Sequence, residues 1–369
     1  MFLQTHSVFC AAAAFLLCGG LSACGAEDQA TPDPGIKPNV EGPPPGNPDG
    51  KCPIVAEAEA EAPFVPNQIV GDGTPQSCTS SAVVEAVAKG GYISFSCGPD
   101  PVQITLTETA KIFNDKGPKI VLDGGGKVTL SGGGKVRILY QNTCDQKQKW
   151  TTSHCQNQDH PQLTVQNLTF VDGNAKGQSP AGGGAIFVSG GRFKIVHSRF
   201  FRNVVDETGP DVGGAAVRVL QQHEGLPVYV TGSTFGGENS LENLGSNGGG
   251  LSSIGVSYTV QNSLFVNNQA IGSGANPPRS GTPGGGSGGA VYCDGNLFTL
   301  KLCGVKMTGN SAKEGGGAIF FVSNNRTGTL IIQDSVLSQN PSAGFETKGY
   351  KGIFFLGSGT PQVTNSTLE

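Results

Sequence analysis

Read for its apolar and polar positions, the second half of the chain carries one short pattern six times and a seventh, fainter time. The copies are Val165–Phe170, Ile195–Phe200, Val230–Phe235, Val260–Phe265, Leu302–Met307, Ile332–Leu337 and Val363–Leu368. Each opens on an aliphatic residue, has Asn, His, Gly or Asp two residues later, and closes on a large apolar side chain. The closing residues stand 30, 35, 30, 42, 30 and 31 positions apart. A period near 30 with strand-type patterning predicts a solenoid. Each unit has an apolar face that it cannot bury alone, so successive units must stack.

Two further parts keep the same period. Gly-Gly followed by small and aliphatic residues recurs at Gly183–Ile186, Gly213–Ala216, Gly249–Leu251, Gly288–Val291 and Gly316–Ile319. An Asn follows the closing residue at Asn174, Asn203, Asn239, Asn268, Asn310 and Asn340. One repeat therefore reads strand, tight turn, strand ending in Phe, Asn turn, variable loop, Gly-Gly turn, strand. Gly and Asn tolerate the left-handed backbone that such turns require. Stacking of equivalent turns predicts Asn amides hydrogen-bonded along the axis and a Phe, Met and Leu ladder inside. Repeat length varies most at Gly272 to Ser287, which is expected to form a mobile loop on one face.

Ahead of the repeats, Thr79, Ser80 and Ser81 lead into apolar positions 83, 84 and 87, and Gly90 and Gly91 follow. Hydroxyl caps and closing glycines predict a short amphipathic helix. At the start of a solenoid it would cover open strand edges. Strands are expected at Tyr92–Ser96, Val102–Leu106, Lys119–Leu122 and Val128–Leu130.

The first residues read as an export signal. Val8–Leu17 is an apolar run of signal-peptide length, too short to span a bilayer. Leu21-Ser22-Ala23-Cys24 resembles the lipobox of bacterial lipoproteins, which implies a lipid on Cys24 and a membrane as partner. The n-region departs from that pattern, with His6 but no Lys or Arg. The expected organisation is a signal at 1–23, a lipid-anchored Pro, Gly and acidic linker at 24–76, and a β-solenoid at 77–369. The linker has too few apolar residues to fold by itself and would act as a semi-extended tether.

Composition narrows the partners. Of 369 residues 58 are Gly, only 14% are charged, and the net charge is −4, so no basic footprint for nucleic acid is visible. Ten Cys are present. Cys10 and Cys18 would leave with the signal and Cys24 would carry lipid. In an exported chain the rest imply disulfides. Pairing near neighbours joins Cys78 to Cys97, Cys144 to Cys155 and Cys293 to Cys303, and leaves Cys52 over. No Cys-x-x-Cys occurs and the five His are not clustered with Cys, so no metal site is assigned.

The alternation of Gly-Gly-Ala-Ile with Phe-x-x-Asn resembles the repeat of polymorphic outer-membrane proteins and, more broadly, right-handed parallel β-helix proteins of the pectate-lyase-like fold. Phe200–Asn203 and Phe265–Asn268 match the second motif; Asn comes one residue later after Phe170 and Phe235, and Met307 and Leu337 replace Phe. The resemblance covers about residues 78–369. It implies an all-β, right-handed parallel β-helix with a short N-terminal capping helix. Members of the outer-membrane family usually end in a membrane barrel; here the lipid on Cys24 is expected to anchor the chain instead.

The same fold hosts lyases, hydrolases and adhesins, so function must come from a site. A polysaccharide lyase or hydrolase would need clustered carboxylates, with Ca²⁺ as cofactor held by six to eight oxygens, and a basic residue. Asp172, Asp206, Asp211 and Asp294 with Arg199, Arg202, Arg218 and Lys194 are scattered in sequence. The densest acidic group is Asp206 and Glu207 with Asp211, and Arg218 is expected on a neighbouring strand; by itself the group reads as a solvated loop. His197 reads as a turn residue, and Asp123–Gly126 as a β-turn rather than a phosphate loop. No catalytic residue is assigned and no cofactor is expected outside the enzyme reading. The expectation is a monomeric cell-envelope lipoprotein, at the outer membrane or cell surface. It would display its β-helix for binding or adhesion, to polysaccharide or a surface protein.

Overall fold

Strands mostly of two to five residues, with one apolar face, become stable here by stacking on copies of themselves one coil away. The computed structural model describes residues 40–62, 65–149 and 151–369. The signal-type segment, Cys24 and the first part of the expected linker lie outside the described residues. The chain is an all-β parallel β-helix with sheets of 17, 8 and 3 strands. Among the described residues one α-helix, α1 (Ser80–Lys89), precedes the repeats, capped by the Thr79 side chain on Ala82 N, with Val83, Ala86 and Val87 in the core.

The largest sheet carries two strand columns. In Lys119–Ser131 and Gln162–Val171 they are continuous; from Arg192 onward each coil breaks between them at a tight turn. The breaking residues His197, Asn262, Asp334 and Asn365 have φ between 44° and 47°, and their equivalent Asn167, inside the continuous Gln162–Val171, has φ 53°. That is why the third position of the repeated pattern holds Asn, Gly, His or Asp. The glycine turn is as demanding: a Cβ on Gly288 would lie 2.3 Å from Val291 O, and one on Gly316 2.0 Å from Ile319 O.

The closing residues of the pattern stack as expected. Ring centroids are 5.0 Å apart for Phe170 and Phe200, and 4.7 Å for Phe200–Phe235 and Phe235–Phe265. Met307, Leu337 and Leu368 continue the same register. The Asn ladder is also present, with one member exchanged. Asn203, Asn243, Asn268, Asn310 and Asn340 form a buried chain of amide bonds of 2.8–2.9 Å. Asn243 takes the rung expected of Asn239, because the turn after Phe235 is longer, and Asn174 lies outside the ladder.

Two expectations need correction. Residues 40–62 are not a free tether. They lie along the large sheet: Gly46 N donates to Thr234 Oγ1, Cys52 N to Asn262 Oδ1, and Glu61 N to Gln166 Oε1. Strand Gln68–Val70 already pairs with Gly91–Phe95, so the sheet begins before residue 77. The disulfides are Cys78–Cys97, Cys144–Cys155 and Cys52–Cys303. Cys293 is free and fully buried, so the expected Cys293–Cys303 pair does not exist. Cys293 sits in the eight-stranded sheet, in register with Ser253 and Phe321, whereas Cys303 sits in the large sheet beside Gln261 and Gln333.

Candidate functional site on the eight-stranded wall

Side chains alternate across a strand. In the eight-stranded sheet the residue after the core aliphatic that follows each Gly-Gly turn (Ile186, Val217, Leu251, Val291 and Ile319) therefore points away from the core. Register sets these residues in one column: Tyr140, Phe187, Arg218, Ser252, Tyr292, Phe320 and Phe354. The rings of Tyr292 and Phe320 stack at 5.0 Å, and Phe320 and Phe354 at 5.3 Å. Two residues further along the strands, Ile254, Asp294, Val322 and Leu356 form a second column, apolar except for one carboxylate. Neighbouring rungs of such a column are about 4.8 Å apart.

The 272–287 insertion lies over the first column and brings a polar cluster together. The Tyr292 hydroxyl is 3.0 Å from Asp211 Oδ1 and 3.3 Å from Asp294 Oδ2, and accepts from Asn276 Nδ2 at 2.7 Å. Asn276 Nδ2 also donates to Asp294 Oδ2 at 3.0 Å and contacts Asp211 Oδ1. Asn324 Nδ2 donates to Asp294 Oδ1 at 3.0 Å. The insertion is fastened rather than loose: buried Glu314 accepts from Gly274 N at 2.8 Å and pairs with Arg279 at 2.6 Å.

Charge accumulates in this cluster. Burial and the neighbouring Asp211 hold the Asp294 carboxyl above its ordinary value, against the opposing hydrogen bond from Gly295 N. Burial, then Asp294 and Asp211, push the Tyr292 phenol well up. Burial lowers the Arg218 guanidinium.

Of the residues singled out from the sequence, Asp211 enters the cluster, and Arg218 lies close enough to feel its charge. Asp206 does not; it accepts from Gly177 N at 2.9 Å. Asp172 forms a two-pronged pair with Arg202 at 2.7 and 2.9 Å, Arg199 donates to Thr169 Oγ1 at 3.1 Å, and Lys194 pairs with Glu61 at 2.8 Å. Tyr292, Asn276 and Asn324 were not identified from sequence. The repeat register alone would have placed Tyr292 on the outer column, but Asn276 lies in an insertion that has no register.

A second groove, of about 620 Å³, lies where Ala56–Glu61 crosses the large sheet. There burial works to raise the Glu61 carboxyl, and hydrogen bonds from Lys194 and Lys119 outweigh it and hold it low. The grouping of Cys52, Cys303 and Asp334 is no metal centre, because the two sulfurs are bonded to each other. No helix among the described residues is long and apolar enough to cross a membrane. No family model, curated protein or solved structure matches the chain.

Proposed function

We propose that this chain is a cell-envelope binding protein whose eight-stranded wall holds polysaccharide without cleaving it. One observation carries the reading. The half-buried Ile254 and Leu356 share a register column with Asp294, and Asp211, Asn276 and Asn324 stand beside it. Apolar rungs suit the faces of sugar rings, and carboxylates and amides suit their hydroxyls. The carboxylates already accept bonds from Tyr292, Asn276 and Asn324, an arrangement suited to holding a ligand rather than moving protons. Anchoring through a lipid on Cys24, as in lipoproteins that the 21–24 sequence resembles, would set the wall at a membrane surface. Three disulfides agree with an oxidising compartment.

A second reading, a polysaccharide hydrolase or lyase, is favoured by one observation: Asp211 and Asp294 converge on one hydroxyl, and Asp294 is held above its ordinary value. A pair of convergent carboxylates, one of them held high by burial, is the kind of arrangement that acid–base chemistry uses. One experiment separates the two. The protein is incubated with a panel of acidic and neutral polysaccharides with Ca²⁺, then sedimented, and the polymers are sized. Intact polymers that co-sediment support binding. Shortened chains would replace it with the enzyme reading, and intact polymers with no retention would reject both.

A further inference from the structure

We infer that the groove beside Arg218 is a subsite for an anionic substituent, a carboxylate or an ester sulfate, on a saccharide. The inference deepens the binding reading of the same wall and rests on it.

Arg218 is only 7% exposed. Its Nε is buried and has no hydrogen-bond partner, and Nη1 makes a single long donation, 3.4 Å, to Ser252 Oγ. Among the described residues it forms no ion pair. The other buried arginines of this chain are satisfied within the fold. Arg137 donates to the carbonyls of Gly183, Pro180 and Gly182 at 3.0, 2.6 and 2.8 Å. Arg199 reaches Thr169 Oγ1 at 3.1 Å and Val40 O at 3.3 Å. Only Arg218 among these keeps a buried donor idle. Asp211 acts on it through space, yet is hydrogen-bonded to Tyr292 and Asn276.

A buried charge without a partner is costly, and a guanidinium offers a planar fork that oxyanions fit. Arg218 opens onto a groove of about 680 Å³, whose lining includes Gln156, Gln221, Leu220 and Ile254. The two glutamines supply donors and acceptors for hydroxyls, and Leu220 and Ile254 supply an apolar floor for a ring face. An acidic sugar unit meets all three features at once: its oxyanion on Arg218, its hydroxyls on the amides, its ring on the floor. A neutral sugar could accept from the Arg218 donors but would leave the charge unpaired.

The test is equilibrium binding of the whole protein to a polyuronate, to dextran sulfate and to uncharged dextran of matched length. At least one anionic polymer should bind ten-fold or more tighter than dextran. Which of the two does so distinguishes carboxylate from sulfate. Arg218→Gln should abolish that margin, so that the anionic polymers bind the variant no tighter than dextran binds it. Should R218Q fail to fold, competition on the unaltered protein decides. Free glucuronate or glucose 6-sulfate should displace the bound polymer at concentrations where glucose does not. Equal affinity for dextran and the anionic polymers would overturn the inference and leave the binding reading standing. A preference that survives in R218Q, or equal displacement by glucose, would do the same. Binding of no polymer would overturn both.

Discussion

Phe265 shows how much one position of the repeat carries. It is fully buried, stacked on Phe235 at 4.7 Å and in register with Met307. Phe265→Ala should cost about 3–5 kcal/mol in denaturant unfolding, the range for truncating a well-packed core aromatic; a loss below 1 kcal/mol would contradict the stacked core. His197 makes a different point. It occupies the left-handed turn, at φ 44°, that its equivalents fill with Asn, Gly or Asp, and burial holds its imidazole below the usual 6.5. The unfolded chain therefore takes up a proton that the folded one refuses. The stability this group contributes is complete above pH 6.5 and is lost as pH falls from there through the lower folded value. His197→Asn removes the titration and suits the turn. Its melting temperature relative to wild type should rise between pH 7.5 and pH 5; parallel pH profiles would disprove the assignment. Both residues were legible in the sequence, because strand alternation and turn chemistry are local. The partner of Cys303 was not, because near-neighbour pairing says nothing about which sheet a cysteine faces.

Among the elements, the 40–62 strap departs furthest from expectation. Its Pro, Gly and acidic composition, unsuited to folding alone, reads as a tether, yet the finished sheet gives it partners. Asn47 N bonds Asn262 O, Gln261 Nε2 bonds Pro53 O, and Glu61 bridges Lys119 and Lys194. Such ordering is tertiary and leaves no period in the sequence. Cys52–Cys303 joins residues 251 apart and fixes the strap to the large sheet. Cys52→Ser should lower unfolding stability by about 2–4 kcal/mol and open the 40–62 backbone to proteolysis; an unchanged cleavage pattern would show that the hydrogen bonds alone hold it. The 272–287 insertion follows the same logic. Its Gly, Pro and Ser content predicts mobility, and Glu314 supplies anchors that only the coil beyond it can provide.

For the whole molecule, the seven-fold pattern made the β-helix legible, because a solenoid writes its period directly into the chain. The site was only half legible. Asp211 and Arg218 drew notice as the densest charged group near a strand, but Asp206, grouped with them, turned out to bond a neighbouring loop. The cluster forms because a separate coil brings Asp211 to the strand that carries Tyr292 and Asp294, a meeting that chain order hides. At this scale the anchor is also open to test. Cys24→Ser should move the protein from the membrane fraction to the soluble one; retention in the membrane would remove the lipid from the account. On the proposed function, ligand lands on the eight-stranded wall. Hydrogen–deuterium exchange with and without a retained polysaccharide tests it most directly. Exchange should slow in Leu251–Ile254, Val291–Gly295 and the 272–287 insertion. Protection confined to the strap side of the large sheet would contradict it.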